Sequence, residues 1–432
     1  MLDSQAAALV AAVEEGFDEQ LSLTEQLVRF ASTRGEEQAA QTFMAALMTK
    51  RGMAIDHFRI ELDEIRHLPG FSPAHISYDN AYNVVGTLRA RTARGRSLIL
   101  NGHVDVVPTG PLDMWTTPPF EPHRTQDWLY GRGAGDMKAG LIACLAALDA
   151  IGRTGHRPAA DVFVQSVVEE ECTGNGALAC LARGYRADAV LIPEPLHETL
   201  LRAQVGVIWF QVKVRGIPVH VAEAGAGANA IEAAYGIMAA LHDLEQAWND
   251  RKGNHASHAH VGHPINLNVG RIAGGDWASS VPAWCEFDVR VAIFPGQAIE
   301  DAKREIEQTV REASRRNVFL RNNPPEVVYN GFEAEGYVLK DADAPVAALA
   351  SAHQTVFGRA LDETASTATT DARFFGLYGQ MPALVYGPRA ELIHGFDERV
   401  DLASLRDVTK AMTLFIAEWC GLESLDDDAG ER

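Results

Sequence analysis

The stretch LILNGHVDVVPTG, residues 98–110, begins as an apolar strand and then places two polar side chains where that strand ends. His103 and Asp105 are two residues apart, and an apolar core does not accommodate an imidazole and a carboxylate without a specific partner. Short apolar runs of this kind predict buried strands of a sheet. The stretch therefore predicts both a fold class and a site at the end of a strand.

Apolar strand patterns alternate with helical patterns through the first half of the chain. The stretches SLILNGHV, MKAGLIACLAALDAI, DVFVQSVV and ADAVLIPE follow one another in that order. Near the C-terminus, APVAALASAHQTVF predicts a further helix and MPALVYG a further strand. This alternation indicates an α/β fold, with a mainly parallel sheet and helices on both of its faces.

Between about residues 207 and 330 the predicted order changes to strand, helix, strand, strand, helix, strand. This βαββαβ order is typical of a ferredoxin-like unit. We therefore expect a catalytic domain built from residues 1–206 and 331–432. A smaller domain, residues 207–330, is expected to interrupt it.

Composition and charge exclude several classes of partner. The formal net charge of −20 argues against nucleic acid or an anionic membrane surface, since both select basic faces. No apolar run approaches the roughly 18 residues that a membrane span needs, and the first residues lack a basic region typical of a signal peptide. Five irregularly spaced cysteines favour reduced thiols and a cytoplasmic location. Small molecules are the expected ligands.

Charged residues follow several of the predicted strands at the point where each strand ends. In open parallel sheets, ligands bind just outside the carboxyl ends of the strands, so these side chains are expected to meet at one edge. Each one alone has an ordinary explanation, such as a helix N-cap for Asp136 or a solvated face for the three glutamates. Their joint placement favours a metal site. The residues are His103, Asp105, Asp136, Glu169, Glu170, Glu171, Glu194 and His394.

Carboxylates that converge at the end of a sheet repel one another and raise one another's pKa values unless cations neutralise them. Two imidazoles with several carboxylates suit zinc or cobalt, because calcium and magnesium prefer shells of oxygen alone. One carboxylate can bridge two such ions about 3.5–4 Å apart. We predict that His103 binds a metal ion and that Asp105 fixes the tautomer of its ring.

Two other stretches carry weaker patterns. The glycines of YGRGAGDMKAGL do not fit the nucleotide-binding patterns GxGxxG or GxxxxGK[ST], and we expect them to let the backbone approach the metal ions. The histidine-rich stretch GNHASHAHVGH falls within the predicted inserted domain. A flexible surface loop is expected there rather than a second metal site.

The motifs GHVDVVP, LYGRGAGDMKAG, VVEEECTGNG, IPEP and IHGFDE occur in this order between about residues 97 and 400. Together they resemble those of the dizinc amidohydrolases that include acetylornithine deacetylase, succinyl-diaminopimelate desuccinylase, aminoacylase and glutamate carboxypeptidase. The resemblance implies that the ferredoxin-like domain acts as a lid and forms a homodimer. It also implies two Zn²⁺ per subunit, with Co²⁺ as a substitute.

The resemblance assigns the metal ligands by position. Asp136 would be the carboxylate that bridges the two ions. His103 and Glu194 would complete one zinc site, and Glu171 with His394 the other.

The resemblance also implies roles for residues outside the metal shell. Glu170 would be the general base, with Glu169 as the alternative because three successive glutamates allow a shift by one. His220 resembles a histidine that crosses from the partner subunit to polarise the scissile carbonyl, although it could simply pack beside the next helix. Arg290 in FDVRV resembles an arginine that receives the substrate carboxylate, although alone it would be explained as an exposed strand residue.

The expected reaction is hydrolysis of an N-acyl amino acid by a hydroxide held between two zinc ions. A metallo-carboxypeptidase or dipeptidase acting on short peptides is the alternative within the same chemistry, and a catalytically inactive binding protein is the alternative of another class. Ser279 stands where the family commonly has asparagine, and ATTDAR around Asp371 replaces the usual GGTDA. Because both departures lie where relatives shape the substrate pocket, the motifs do not define the substrate.

Overall fold

The computed structural model describes residues 4–425. Its α-helices are α1 (Ser4–Val28), α2 (Gln38–Lys50), α3 (Leu62–Ile65), α4 (Ala139–Arg153), α5 (Asn175–Ala182), α6 (Ala230–Asn249), α7 (Ile299–Arg316), α8 (Asp343–Phe357) and α9 (Leu402–Cys420). Its β-strands are β1 (Ala54–Arg59), β2 (Tyr82–Leu88), β3 (Leu98–His103), β4 (His123–Arg124), β5 (Trp128–Tyr130), β6 (His156–Pro158), β7 (Val162–Val167), β8 (Ala189–Ile192), β9 (Leu200–Gln204), β10 (Gly206–Arg215), β11 (Leu267–Gly274), β12 (Trp284–Ile293), β13 (Glu326–Ala334), β14 (Tyr337–Val338), β15 (Glu363–Ser366), β16 (Ala383–Val385), β17 (Ala390–Glu391), β18 (Arg399–Asp401) and β19 (Leu422–Ser424).

A six-stranded sheet with the order β1-β2-β7-β3-β8-β16 forms the centre of the larger part of the molecule. Strands β7, β3, β8 and β16 pair in parallel, whereas β2 pairs antiparallel with both β1 and β7. Strands β3 and β8 are buried at every position, so protein covers both faces of the sheet there. The mixed α/β class predicted from the sequence is confirmed.

A second sheet, antiparallel throughout, has the order β11-β12-β10-β13. Helices α6 and α7 pack on it, and buried side chains of the sheet and the helices, among them Phe210, Phe287 and Trp248 of α6, form a hydrophobic cluster of their own. Helix α7 contributes Ile306 and Val310, whose spacing of four residues places them on one face. This segment is therefore a βαββαβ unit with a separate core.

Two local features bring distant loops to the carboxyl edge of the central sheet. A small sheet with the order β17-β18-β5-β4 places the chain around residues 390–401 beside residues 123–130, just before the segment that carries Asp136. Gly140 in α4 lets the helix approach the chain after β8, because a Cβ atom there would lie 2.1 Å from the Pro193 carbonyl oxygen. This close packing holds Glu194, the residue after Pro193, near the N-terminal part of α4.

The histidine-rich stretch, residues 253–263, forms a loop whose residues are mostly exposed, in agreement with the predicted surface loop, and two of its histidines pack against the rest of the molecule. His258 is fully buried, and its Nε2 lies 3.1 Å from the Ser366 carbonyl oxygen. The ring of His255 stacks on Phe294 with the ring centroids 3.8 Å apart. The imidazoles dock the loop because they combine a flat apolar face with a polar nitrogen.

Within residues 4–425, no helix combines the length and the apolar character that crossing a bilayer requires.

Candidate active site

The ends of three neighbouring parallel strands meet at one edge of the central sheet. His103 is the last residue of β3, the three glutamates follow the end of β7, and Glu194 follows the end of β8. The structure brings six of the predicted residues into one cluster at this edge. They are His103, Asp136, Glu170, Glu171, Glu194 and His394.

Asp136 lies between the two histidines of the cluster. Its Oδ1 is 3.3 Å from His103 Nε2, and its Oδ2 is 3.4 Å from His394 Nε2. Burial alone would raise the pKa of Asp136, but the contacts with both imidazoles outweigh it and lower the pKa. Each carboxylate oxygen thus faces a different imidazole, which is the arrangement that a carboxylate bridging two cations requires.

The other two predicted ligands each lie beside one of the histidines. Glu194 Oε1 is 3.8 Å from His103 Nε2, and Glu171 Oε2 is 3.1 Å from His394 Nε2. Atoms that bind one zinc ion at tetrahedral positions are about 3.3 Å apart, so these spacings are close to those of a ligand shell. His103 Nε2 is buried without a hydrogen-bond partner in the described part of the chain. The residues fit a pair of divalent ions.

Asp105 supports His103, chiefly through its backbone. The ring Nδ1 lies 2.9 Å from the Asp105 carbonyl oxygen, whereas the carboxylate Oδ1 is 3.6 Å away. The other carboxylate oxygen accepts a hydrogen bond of 3.1 Å from the Glu171 backbone N–H. With its proton held on Nδ1 by the carbonyl, the imidazole of His103 presents its Nε2 lone pair to the cluster.

Glu169 and Glu170 occupy opposite environments. Glu169 accepts hydrogen bonds of 2.5 and 2.7 Å from Arg34, one of 2.8 Å from the Thr173 hydroxyl, and another from the Tyr78 hydroxyl. Glu170 is buried beside the cluster, 3.9 Å from His103 Nε2. Burial and the charges of neighbouring acids raise the pKa of Glu170. The first glutamate is therefore held by the surrounding protein, and the second faces the cluster.

In the described chain, His220 and Arg290 do not lie in this cluster. His220 is exposed on the inserted segment, and its Nδ1 accepts a hydrogen bond of 3.1 Å from the Ala222 N–H. Arg290 on β12 donates hydrogen bonds of 3.1 Å to the carbonyl oxygens of Asn266 and Thr367. Burial lowers the pKa of Arg290 to about 10.

Sequence reasoning noted Asp371 only as a departure from a motif, yet it belongs to the surroundings of the cluster. Its side chain is 1% exposed, and neither carboxylate oxygen has a hydrogen-bond partner within residues 4–425. Burial raises its pKa to about 7, and its charge contributes to the raised pKa values of Glu170 and Glu194. Arg34 and Tyr78, which donate hydrogen bonds to Glu169, were also missed, because no sequence pattern marks them.

The geometry is that of a hydrolase that uses divalent metal ions. Residues 99–418 match Peptidase family M20/M25/M40, and the chain belongs to that family.

Two curated relatives are similar along most of the chain. The chain is 29% identical over 441 residues to the N-formyl-4-amino-5-aminomethyl-2-methylpyrimidine deformylase of Halalkalibacterium halodurans, with 96% of this chain and 97% of that protein covered. It is 26% identical over 396 residues to the succinyl-diaminopimelate desuccinylase of Herminiimonas arsenicoxydans, with 88% and 94% covered.

A dipeptidase of Saccharomyces cerevisiae has a similar fold, with a TM-score of 0.81 at 15% sequence identity over 97% of this chain and 99% of that one. The resemblance found in the motifs is confirmed: the protein is an enzyme, a metal-dependent hydrolase that cleaves linear amide bonds. An inactive scaffold is not supported, since the two curated relatives are a deformylase and a desuccinylase.

The metal-free protein should lose stability as the pH rises from 5 to 7.5. Burial raises the pKa of Asp105 to about 6 and that of Asp371 to about 7, so the folded state binds more protons than the unfolded state in this window. We expect the free energy of unfolding, measured by urea titration after chelation, to fall by about 2 kcal/mol or more. Zinc should remove most of this difference. Stability of the chelated protein that increases with pH over this range would contradict the assignment.

Proposed function

We propose that the enzyme hydrolyses small N-acyl compounds, with an N-acyl amino acid carrying a short acyl group as the substrate. The observation that carries this proposal is Glu170, a buried acid that faces the Asp136-centred cluster while the adjacent Glu169 is held by Arg34. A free acid beside a metal site is what amide hydrolysis needs for proton transfer. Two relatives are named as a deformylase and a desuccinylase, enzymes that remove short acyl groups, and this supports the same class of substrate.

Two Zn²⁺ ions are the proposed cofactors, with Co²⁺ as a substitute. His103 and Glu194 would hold one ion, Glu171 and His394 the other, and Asp136 both. When bound, such ions polarise an amide carbonyl and acidify a water molecule.

Proton transfer falls to Glu170 in this proposal. Its carboxylate accepts the proton of the attacking water and returns it to the leaving nitrogen. Asp105 keeps His103 in the tautomer that leaves Nε2 free. Arg290 is proposed to receive the substrate carboxylate. Two carbonyl oxygens already fix the plane of its guanidinium, which leaves its other N–H groups for the substrate.

Glu170→Gln should keep both metal ions and lower kcat by about 10²–10⁴-fold, because the amide preserves shape but accepts no proton. Glu169→Gln is the matched control. It should lower the thermal unfolding midpoint by weakening the buried pair with Arg34, while kcat of the folded enzyme stays within about tenfold. Steady-state kinetics and zinc analysis on both variants measure this. An active Glu170→Gln beside an inactive, metal-loaded Glu169→Gln would assign the base to Glu169.

We propose that residues 207–330 form a lid domain through which two subunits associate. Strand β11 is an edge strand of its sheet and is largely exposed, and an exposed sheet edge is a template for pairing with another chain. Ile272 on β11, Tyr235 on α6 and Trp277 are large apolar side chains exposed on the same segment. A second copy of the chain would cover them.

His220 is proposed to act in the active site of the partner subunit. Because its Nδ1 accepts the Ala222 N–H, a neutral ring carries its proton on Nε2, where it can donate to a developing oxyanion. Its exposed position on the inserted segment leaves this nitrogen available to another chain. Each active site would then contain residues of two subunits.

Mixing inactive His220→Ala with inactive Glu170→Gln should restore activity. The hybrid dimer has one site with both groups, so an equal mixture should reach about a quarter of wild-type activity after subunit exchange. Native mass spectrometry would verify that hybrids form. Verified hybrids without activity would exclude the contribution of His220 in trans.

A dipeptidase or carboxypeptidase is the second candidate function, because a peptide bond is also a linear amide. The zinc- and cobalt-loaded enzyme should be assayed with formyl, acetyl, succinyl and carbamoyl amino acids beside a set of dipeptides, and with the N-formyl aminomethylpyrimidine named for the relative. We expect kcat/KM at least tenfold higher for one N-acyl compound than for any dipeptide. The reverse order would make the enzyme a peptidase.

The proposed location is the cytoplasm, because all five cysteines are free thiols in the structure and the irregular spacing suits a reducing compartment.

A further inference from the structure

We propose that the buried ion pair between Arg132 and Glu398 is a positioning pair, which sets the geometry of the metal ligands without touching metal or substrate. The inference rests on the proposed metal site. Arg132 Nη1 donates a hydrogen bond of 2.5 Å to Glu398 Oε2, and the two side chains are 2% and 1% exposed. Neither residue belongs to the predicted set of site residues.

Glu398 holds the backbone that carries Asp136. Its Oε1 accepts hydrogen bonds of 2.9 Å from the Gly135 N–H and 3.0 Å from the Asp136 N–H. The backbone carbonyl of Glu398 accepts a further hydrogen bond of 2.9 Å from the Gly131 N–H. The position of the bridging carboxylate therefore depends on a residue 262 positions away in the chain.

Arg132 joins the other loops of the site to the same carboxylate. Its Nη2 donates a hydrogen bond of 3.0 Å to the carbonyl oxygen of Gly395, the residue after His394. The same nitrogen lies 3.4 Å from the carbonyl oxygen of Pro108, on the segment that follows Asp105. The Trp115 ring lies 5.2 Å from the guanidinium carbon. One side chain thus contacts the loops of His394 and Asp105 and, through Glu398, that of Asp136.

Stability alone does not account for this pair. Removing two charges from water costs several kcal/mol for each ion, and well-packed apolar side chains often serve a core equally well. The arginine, however, presents donors in a fixed planar arrangement, so it can hold several acceptors at set distances. Burial raises the pKa of Glu398, although the Arg132 charge opposes that change. The pair is therefore placed to fix the positions of the segments that carry Asp136 and His394 relative to each other.

The consequence concerns metal affinity. Residues that orient metal ligands from outside the shell change affinity by about 10–100-fold when they are replaced. Loss of the pair should let Asp136 and His394 move relative to each other, since each depends on one member of it. The ion held by His394 and Glu171 should be the more weakened, because His394 lies on the loop that Arg132 holds.

The test uses the full chain with three variants. Glu398→Gln keeps the size of the side chain but places an amide N–H₂ against the guanidinium, and Arg132→Met removes the donors. Glu391→Gln is the matched control, because Glu391 pairs with Arg399 in the neighbouring strands and is 41% exposed. Each protein is stripped of metal, and zinc dissociation constants are measured by competition with a fluorescent chelator. Circular dichroism reports the fold, and Co²⁺ absorption reports ligand geometry.

In Glu398→Gln and Arg132→Met, we expect the zinc site that is affected more, proposed to be that of His394 and Glu171, to lose about 10–100-fold in affinity. The Co²⁺ spectrum should change as well. The control should stay within about twofold of the wild type. Wild-type affinities and spectra in both folded variants would overturn the proposal. If either variant fails to fold, Arg132→Lys decides: it keeps the charge without the planar donors, and wild-type zinc affinity in it would equally overturn the proposal. A wild-type protein that binds no zinc would instead refute the proposed function.

Discussion

Repulsion among buried carboxylates is the constraint on which this structure depends. Within residues 4–425, six acids with little or no exposure surround the imidazoles of His103 and His394 at one edge of the central sheet. They are Asp105, Asp136, Glu170, Glu171, Glu194 and Asp371. Unpaired buried charge costs several kcal/mol per ion, so these groups must be neutralised by bound cations or, in the metal-free protein, by protons. The parallel strands gather Asp105, Glu170, Glu171 and Glu194, because their carboxyl ends necessarily lie together. Asp136 and Asp371 reach the same edge from segments outside that sheet.

The acids at this edge fall into two groups that differ in their partners. Glu169 and Glu398 are each paired with an arginine, Arg34 and Arg132 respectively, at 2.5 Å. The acids facing the histidines have no such pair in the described residues, and their negative charge is free to bind cations. The acids paired with arginine thus hold the surrounding chain in place, whereas the acids without such a pair face the histidines. This distinction favours Glu170 over Glu169 as the base, although the two are adjacent in sequence.

Long periodic elements were predictable because their patterns extend over many residues. Strand β10 lies at residues 206–215, where VIWFQVKVRG predicts a strand. Helix α7 coincides with the helix predicted from AIEDAKREIEQTVREASRR. The two-residue strand β17 was not predicted, because so short a segment has no period to detect, and the antiparallel strands β1 and β2 were not predicted either. The strand-exit rule gave the six clustered residues. It gave no indication of Arg34, whose partner is 135 positions away, or of the Arg132–Glu398 pair. The histidine-rich stretch is a mostly exposed loop, as predicted, but its sequence did not indicate that His258 is buried.

The most direct test of the account is the number of divalent ions bound per chain by the wild type and by Asp136→Ala. Asp136 faces both histidines, so its removal affects both proposed sites. Elemental analysis after equilibration with zinc and gel filtration should give two ions for the wild type and at most one weakly held ion for the variant, with loss of turnover. Two tightly bound ions and full turnover in Asp136→Ala would contradict a site built around a shared carboxylate.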